Sequence, residues 1–263
     1  MSPLAPTPAR TPPIDLATLP LDYEGFRTLA QDGRLTDHEK IGFPPAYREG
    51  FEDAIWTDIT AKLPMLIEAE GQTVVDIGPG CAALPKRLIE LCRDRGHTLV
   101  LADSPEMLAL LPDVAGVTRK CEGLFPNNAA AVSAVAGAPA DALLCYSVLH
   151  YIHLDASSLD FIDATAALLA SGGRALIGDI PNLSKRRRFF ATERGQAFHR
   201  AFTGSTEPYD VTQDAPAPGK IDDAVLASLI ARAQSRGCDA YLLPQGPDLP
   251  MANRRDDLLL VRP

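Results

Sequence analysis

Short apolar runs alternate with amphipathic segments along most of the chain after residue 72. The apolar runs predict strands at residues 73–77, 98–102, 116–120, 142–147, 174–180, 240–243 and 258–261. The amphipathic segments predict helices between most of these strands, at residues 84–93, 157–169 and 221–235. Strands that alternate with helices indicate a mostly parallel sheet with helices on both faces. The pattern therefore predicts an α/β fold with a doubly wound, seven-stranded sheet.

The last two predicted strands have no helix between them, because residues 244–257 are rich in proline and turn-forming side chains. A close connection of that kind favours an antiparallel pair at one edge of the sheet. We therefore expect a mostly parallel sheet with an antiparallel last strand.

The first 70 residues follow a different pattern. Residues 1–20 are rich in Pro, Ala and Thr, which favour extended chain and predict a disordered tail. Within residues 21–70, Tyr47, Phe51 and Ile55 recur at every fourth position with charged residues between them. This spacing predicts an N-terminal helical cap on a main domain that covers residues 71–263.

The segment between the first predicted strand and the next helix reads VVDIGPGCA, residues 74–82. Glycines let a ligand approach the backbone closely, and a helix N-terminus offers unpaired N–H groups. A glycine turn is as readily a packing feature, so Asp103 at the end of the second strand is the stronger signal. A carboxylate there can accept hydrogen bonds from two ribose hydroxyls, although it could simply cap the next helix.

Residues 72–263 resemble the class I S-adenosylmethionine-dependent methyltransferases. Asp76, Gly78 and Gly80 match the family's first motif, in which Ala82 stands where a third glycine is common. Residues 141–152, DALLCYSVLHYI, resemble the fourth motif, and residues 168–180, LLASGGRALIGDI, resemble the strand that follows it. The resemblance implies a Rossmann-like fold and S-adenosylmethionine as the cofactor.

The resemblance also implies a set of cofactor-binding residues: Asp76, Gly78, Pro79, Gly80, Asp103, Ser104, Glu122, Tyr146 and Ser147. In it, Asp103 holds the ribose, and Glu122 is a looser match to an acidic residue near the adenine amine. Asp76 suits a ligand with an ammonium group and no phosphate, since it would repel a pyrophosphate. The turn reads GPGCAA rather than GxGxxG, which disfavours a dinucleotide.

Two residues at strand ends are predicted to be catalytic. Methyl transfer to a hydroxyl is helped by a general base. His150 follows the fourth strand and is the predicted base because an imidazole can titrate near neutral pH, although it could instead pack on the cofactor or orient its loop. Asp179, at the end of the fifth strand, could act as a base, bind substrate or bond the following loop.

Substrate recognition is predicted from the insertion at residues 181–220. The run Lys185-Arg186-Arg187-Arg188 is followed by several aromatic residues and could form a substrate lid that recognises an anion. The same run could equally be a solvated helix face. The residues predicted to bind substrate are Tyr47, Arg48, Tyr151 and Arg187.

Composition and net charge limit the kinds of molecule that the protein is expected to bind. The net charge of -9 argues against a broad nucleic-acid surface, and no apolar run approaches the roughly 20 residues of a membrane span. The five cysteines are scattered, which is typical of reduced core thiols. His150 and His153 lack further ligands at metal-binding spacing, so no metal is expected. We expect a cytoplasmic protein that acts on a small molecule and could form a homodimer.

These features favour methyl transfer to a small-molecule acceptor, with O-methylation of an anionic or glycan-related metabolite first and nitrogen next. Three alternatives stay open. One is a methyltransferase-like protein that binds S-adenosylmethionine without transfer activity, and another is a nicotinamide-dependent oxidoreductase. The third is a different reaction of the same cofactor, because fold does not fix chemistry.

Overall fold

The computed structural model describes residues 20–42 and 50–263. In this part of the chain a seven-stranded sheet has the order β3-β2-β1-β4-β5-β7-β6. The strands are β1 Thr73–Ile77, β2 Thr98–Asp103, β3 Thr118–Glu122, β4 Ala140–Tyr146, β5 Leu169–Pro181, β6 Asp239–Pro244 and β7 Arg255–Val261. Neighbours among β1 to β5 pair in parallel, and β7 is antiparallel to both β5 and β6. The predicted sheet class and its antiparallel last strand are confirmed.

Helices surround this sheet and also precede it. They are α1 Tyr23–Gln31, α2 Asp37–Lys40, α3 Glu52–Lys62, α4 Met65–Glu68, α5 Ala83–Arg95, α6 Pro105–Leu108, α7 Ala129–Ala136, α8 Leu149–Asp155, α9 Ser158–Leu168, α10 Leu183–Phe190, α11 Glu193–Thr203 and α12 Asp223–Ser235. None of the described helices has the length and apolar character needed to cross a bilayer.

The two faces of the sheet build two apolar layers. Successive strand residues point to opposite faces, so Val75 packs in one layer while Val74 packs in the other. The first layer includes Phe161 of α9, and the second includes Leu88 of α5, both fully buried. Burying each such side chain contributes roughly 1.5–3 kcal/mol. The two layers therefore hold the sheet rigid and fix the positions of its strand ends.

The carboxyl ends of β1 to β4 and the loops that follow them form one edge of the sheet. Parallel strands bring their carboxyl ends to the same side of a sheet, where ligands bind in doubly wound folds. The loops after β1, β2 and β4 lead into α5, α6 and α8, and α1 and α2 lie over the same edge. This edge is where the candidate site lies.

Candidate functional site

The turn after β1 brings the backbone unusually close to neighbouring elements. Gly78 and Gly80 both have φ of 67°, a left-handed conformation that favours glycine. A Cβ atom at Gly78 would lie 2.7 Å from Val148, and one at Gly80 would lie 2.7 Å from Ile41. Only glycine therefore lets this turn fit between the loop after β4 and the end of α2.

A cavity of about 470 Å³ opens at this turn. Its floor consists of the glycine turn, the end of β2 and the end of β4, with residues 123–125 after β3 at one side. Its cover comes from α1 and α2, which contribute Tyr23, Phe26, His38 and Ile41. The volume lies in the range that small ligands and cofactors occupy.

Two neighbouring carboxyl groups have no cationic partner among the described residues, Asp103 in the cavity lining and Asp76 beside it in β1. The side chain of Asp76 is only 3% exposed, and no described residue donates a hydrogen bond to it. Asp103 accepts hydrogen bonds from the backbone N–H groups of Ser104, at 2.7 Å, and Gly80, at 3.2 Å. The site thus holds one unpartnered buried acid and one acid fixed by the backbone.

Burial changes the acidity of both groups. Desolvation raises the pKa of Asp76 to about 8, and the neighbouring charge of Asp103 adds to the rise. Desolvation also raises the pKa of Asp103 to about 6, against the opposing effect of the two backbone N–H groups. A ligand that brings a positive charge or hydroxyl donors would stabilise the ionised forms.

The end of β4 supplies a second wall. Tyr146, Ser147 and Tyr151, which lie at the end of β4 and in the segment after it, all line the cavity. The ring of Tyr151 packs edge-to-face against Phe26 of α1, with centroids 4.7 Å apart. This aromatic pair joins the cap to the loop after β4 and closes one side of the cavity.

Ion pairs and hydrogen bonds hold the cap over the cavity. Arg27 of α1 binds Glu106 of α6 through two hydrogen bonds of 2.7 and 2.9 Å. The backbone N–H of Tyr23 donates to Asp155 of α8 at 2.8 Å. These contacts tie α1 to the loops after two different strands, so the cap is positioned by the sheet edge it covers.

Solved structures share this architecture. The plantazolicin methyltransferase BpumL, solved with a substrate analogue and S-adenosylhomocysteine, gives a TM-score of 0.55 at 10% identity, over 91% of this chain and 96% of that one. A proposed methyltransferase from Haloferax volcanii, solved with the Trm112 methyltransferase activator, gives 0.52 at 16% identity, over 90% and 97% of the two chains. This chain has the class I methyltransferase fold.

An O-methyltransferase family protein from Burkholderia thailandensis is a further structure with this fold. It gives a TM-score of 0.50 at 17% identity, covering 92% of this chain and 63% of the longer Burkholderia protein. No model of a protein family and no curated protein matches the sequence. At these identities the likeness is one of fold.

Within the methyltransferase fold, the predicted cofactor residues separate into two groups. Gly78, Pro79, Gly80 and Asp103 line the cavity, and Asp76 lies beside Asp103. Ser104 is buried and caps α6, where its hydroxyl accepts the N–H of Met107 at 3.2 Å, and it does not line the cavity.

Glu122 is exposed, whereas the three residues after it line the cavity. Alternation along β3 explains this, since Cys121 points into the core and Glu122 therefore points away from it.

The two predicted catalytic residues do not line the cavity. The ring of His150 packs against that of Tyr151, with centroids 3.9 Å apart. Asp179 accepts hydrogen bonds from Ser147, from Gln245 at 3.2 Å and from Arg255 at 2.9 Å. A proton-transfer group must come within hydrogen-bond reach of the reacting atom, so the two catalytic roles stay predictions that the cavity lining does not support.

Asp179 instead fixes the wall of the cavity. Asp179 and Ser147 both have positive φ, of 57° and 64°, a conformation that costs on the order of 1–3 kcal/mol in a residue other than glycine. The Ser147 hydroxyl donates to the Asp179 carboxylate, and the N–H of Asp179 donates to Asp257 at 2.7 Å. This buried network holds Ser147 in place from behind.

The basic run forms ion pairs with nearby carboxylates. Lys185 pairs with Asp256 at 2.6 Å, Arg186 faces Asp214 at 3.4 Å and Arg188 pairs with Asp223. Arg187 is exposed on α10, and no residue of 181–220 lines the cavity described above. These pairs favour the interpretation of the run as a solvated helix face.

Sequence reasoning missed most of the cover. Nothing in the local sequence indicates that Tyr23, Phe26, His38 and Ile41 reach the sheet edge. Tyr47 and Arg48, predicted to bind substrate, lie outside the described residues.

Proposed function

We propose that this protein is an S-adenosylmethionine-dependent methyltransferase that acts on a small-molecule acceptor. The observation that carries the proposal is the pair Asp76 and Asp103 near the ends of adjacent strands, beside a glycine turn. Asp103 lines the cavity of about 470 Å³, and Asp76 lies next to Asp103. A fitting ligand must bring a cation to one acid and hydroxyl donors to the other. S-adenosylmethionine has an ammonium group, a ribose diol and no phosphate.

The residues present fit each part of this cofactor. Asp76 is buried and has no donor among the described residues, so an ammonium group would offset the cost of its ionisation. Each oxygen of Asp103 accepts one backbone N–H and keeps capacity for a ribose hydroxyl. Gly78 and Gly80 leave the turn bare of side chains, so that a ligand can lie against the backbone.

When bound, this cofactor supplies a methyl group on a positively charged sulfur. The residues of the protein enclose the two reactants and align them, which is what an in-line displacement mainly requires. Phe26 and Tyr151 close one side of the cavity and exclude water from it. The buried network behind Ser147 keeps that wall fixed while an acceptor binds.

For the acceptor we propose a hydroxyl compound without strong negative charge. The anionic acceptor expected from the basic run loses its support, because that run pairs with carboxylates elsewhere. Lys86 and Arg87 do line the cavity, but they pair with Asp37 at 2.7 Å and Asp53 at 2.6 Å. An anion would have to compete with both of these pairs.

Calorimetric titration with S-adenosylhomocysteine tests the proposal, with NAD and NADP as comparison ligands. We expect a Kd of about 1–50 μM for S-adenosylhomocysteine alone. In Asp103→Asn the affinity should fall by about 10-fold to 100-fold, because the amide keeps one acceptor oxygen and loses the other, and a hydrogen bond to a charged acceptor is worth about 1.5–3 kcal/mol. Asp94→Asn, which changes an exposed acid paired with Arg93, should bind like the wild type.

Preference for a nicotinamide cofactor, or unchanged affinity in Asp103→Asn, would contradict the proposal. The first result would favour an oxidoreductase, and the second would remove Asp103 from the ligand site.

A further inference from the structure

Two side chains, one from the cover and one from α3, face each other at the cavity wall. His38 of α2 and Glu52 of α3 both line the cavity, and Nε2 of His38 lies 3.6 Å from Oε1 of Glu52. Their side chains are 24% and 36% exposed, so both remain open to a ligand. The separation is that of an ion pair, and catalytic pairs are often this loose before a ligand binds.

Both partners are anchored by backbone hydrogen bonds. A capping box fixes the start of α2, since Thr36 accepts the N–H of Glu39 and Glu39 accepts the N–H of Thr36 at 2.7 Å. Oε2 of Glu52 accepts the N–H of Gly50 at 2.8 Å. The carboxylate is therefore held so that its other oxygen faces His38.

The orientation of the pair leaves one imidazole nitrogen available. A carboxylate beside Nε2 favours the tautomer with the proton on that nitrogen and leaves a lone pair on Nδ1. No hydrogen bond from the described residues reaches Nδ1 of His38. A carboxylate that sets the tautomer, together with an open lone pair in a ligand cavity, is the arrangement that a general base requires.

We infer that His38 is the general base of this cavity, that Glu52 is the residue that positions it, and that the acceptor is a hydroxyl compound. The inference rests on the proposed function. The acceptor's O–H bond breaks and its proton moves to Nδ1 of His38. The oxygen lone pair forms the new bond to the methyl carbon, and the electron pair of the broken C–S bond stays on sulfur. A neutral amine could attack without such a base, which is why the pair points to oxygen.

The ratio of the affinities for S-adenosylmethionine and S-adenosylhomocysteine reports the electrostatic environment of the sulfonium. S-adenosylmethionine and S-adenosylhomocysteine share every charged group except the sulfonium. Protonation of Asp76 or Asp103 therefore weakens the contacts to the ammonium group and the ribose equally in both ligands, and those contributions cancel in the ratio of the affinities. The charged groups that line the cavity around His38 are Glu52, Lys86, Arg87, Glu90, Asp103 and Asp155. A comparison of wild type with His38→Gln cancels their effect as well.

The experiment is calorimetric titration of the full chain with both ligands between about pH 8 and pH 5.5, the range in which a histidine gains its charge. A positive charge on His38 would repel a sulfonium bound in the same cavity, and we expect the ratio of the affinities for S-adenosylmethionine and S-adenosylhomocysteine to fall about tenfold. We expect this fall in the wild type and no fall in His38→Gln. In Glu52→Gln the size of the fall should change, because the ring of His38 loses the carboxylate that orients it.

His150→Gln provides the matched control and should keep the wild-type fall, since His150 does not line the cavity. Wild-type affinity of His38→Gln for S-adenosylhomocysteine would show that the variant is folded. If the ratio depends on pH equally in wild type and in both His38→Gln and Glu52→Gln, the inference is overturned and the proposed function stands. If the wild type binds neither ligand, both are overturned.

Discussion

Two charged regions outside the sheet compete for the role of substrate cover, the N-terminal cap of α1 and α2 and the insertion with α10 and α11. The charges of the cap pair with the loops at the sheet edge, as Arg27 does with Glu106. The charges of the insertion pair farther along that edge, beside the end of β5, as Lys185 does with Asp256 of β7. The position of the partner carboxylates, rather than the number of basic residues, decides which region faces the cavity.

The comparison also separates the kinds of side chain that each region contributes. The cap places Tyr23, Phe26 and Ile41 in the cavity, and its Arg27 pairs with Glu106 outside the cavity lining. The insertion uses its aromatic residues internally, where Phe190 stacks on Tyr209 with centroids 4.2 Å apart. The aromatic residues of the insertion therefore pack against one another, whereas the aromatic residues of the cap line the cavity.

The largest effect is expected for Asp76, which lies beside Asp103 under the cap. Burial raises the pKa of Asp76 to about 8, well above its value in the unfolded chain, so the folded protein holds this proton more tightly. Stability of the ligand-free protein should therefore fall as pH rises between about 5 and 8, by up to about 1.4 kcal/mol per pH unit from this group. Asp76→Asn should lack that part of the fall in urea unfolding curves.

Taking the difference between the two proteins at each pH cancels the other titrating groups. If the difference in unfolding free energy between wild type and Asp76→Asn stays constant across this range, Asp76 is not desolvated. The site would then not require a cationic ligand.

A smaller effect is expected at the cap itself. Phe26→Ala removes one partner of the aromatic pair with Tyr151 and opens the side of the cavity. Loss of this contact should weaken S-adenosylhomocysteine binding about fivefold to tenfold, in line with about 1–1.4 kcal/mol of lost packing. Isothermal calorimetry measures the change directly.

The smallest effect is expected in the insertion. Arg187→Ala changes an exposed side chain of α10 and should alter affinity by less than about twofold, as should Phe202→Ala, whose side chain is 53% exposed. If Arg187→Ala loses more affinity for S-adenosylhomocysteine than Phe26→Ala does, the insertion rather than the cap covers the cavity.

Local patterns in the sequence were enough to predict the sheet and the floor of the site. The turn at Gly78 and Gly80 and the acid at Asp103 each follow a strand directly, so their place at the strand ends comes from the chain itself. The antiparallel last strand was predictable for the same reason, because its connection is too short for a crossover helix.

Contacts between distant segments were not predictable in this way. Tyr23 meets Asp155 across 132 residues, and nothing near either residue indicates the pairing. Asp179 sits at a strand end as predicted, yet Arg255 and Gln245 approach from a later strand and its loop and draw its carboxylate into a buried network. A strand-end position identifies a candidate, and its tertiary partners decide whether the side chain reaches the ligand.

The central claim is that the cap, and not the insertion, encloses the bound cofactor. Hydrogen–deuterium exchange of the full chain, with and without saturating S-adenosylhomocysteine, tests it most directly, because protection reports which segments are ordered by the ligand. The account predicts slower exchange in α1, in α2 and in the turn at Gly78 and Gly80, with no change in α10 and α11. Protection of α10 and α11 without protection of α1 would contradict it.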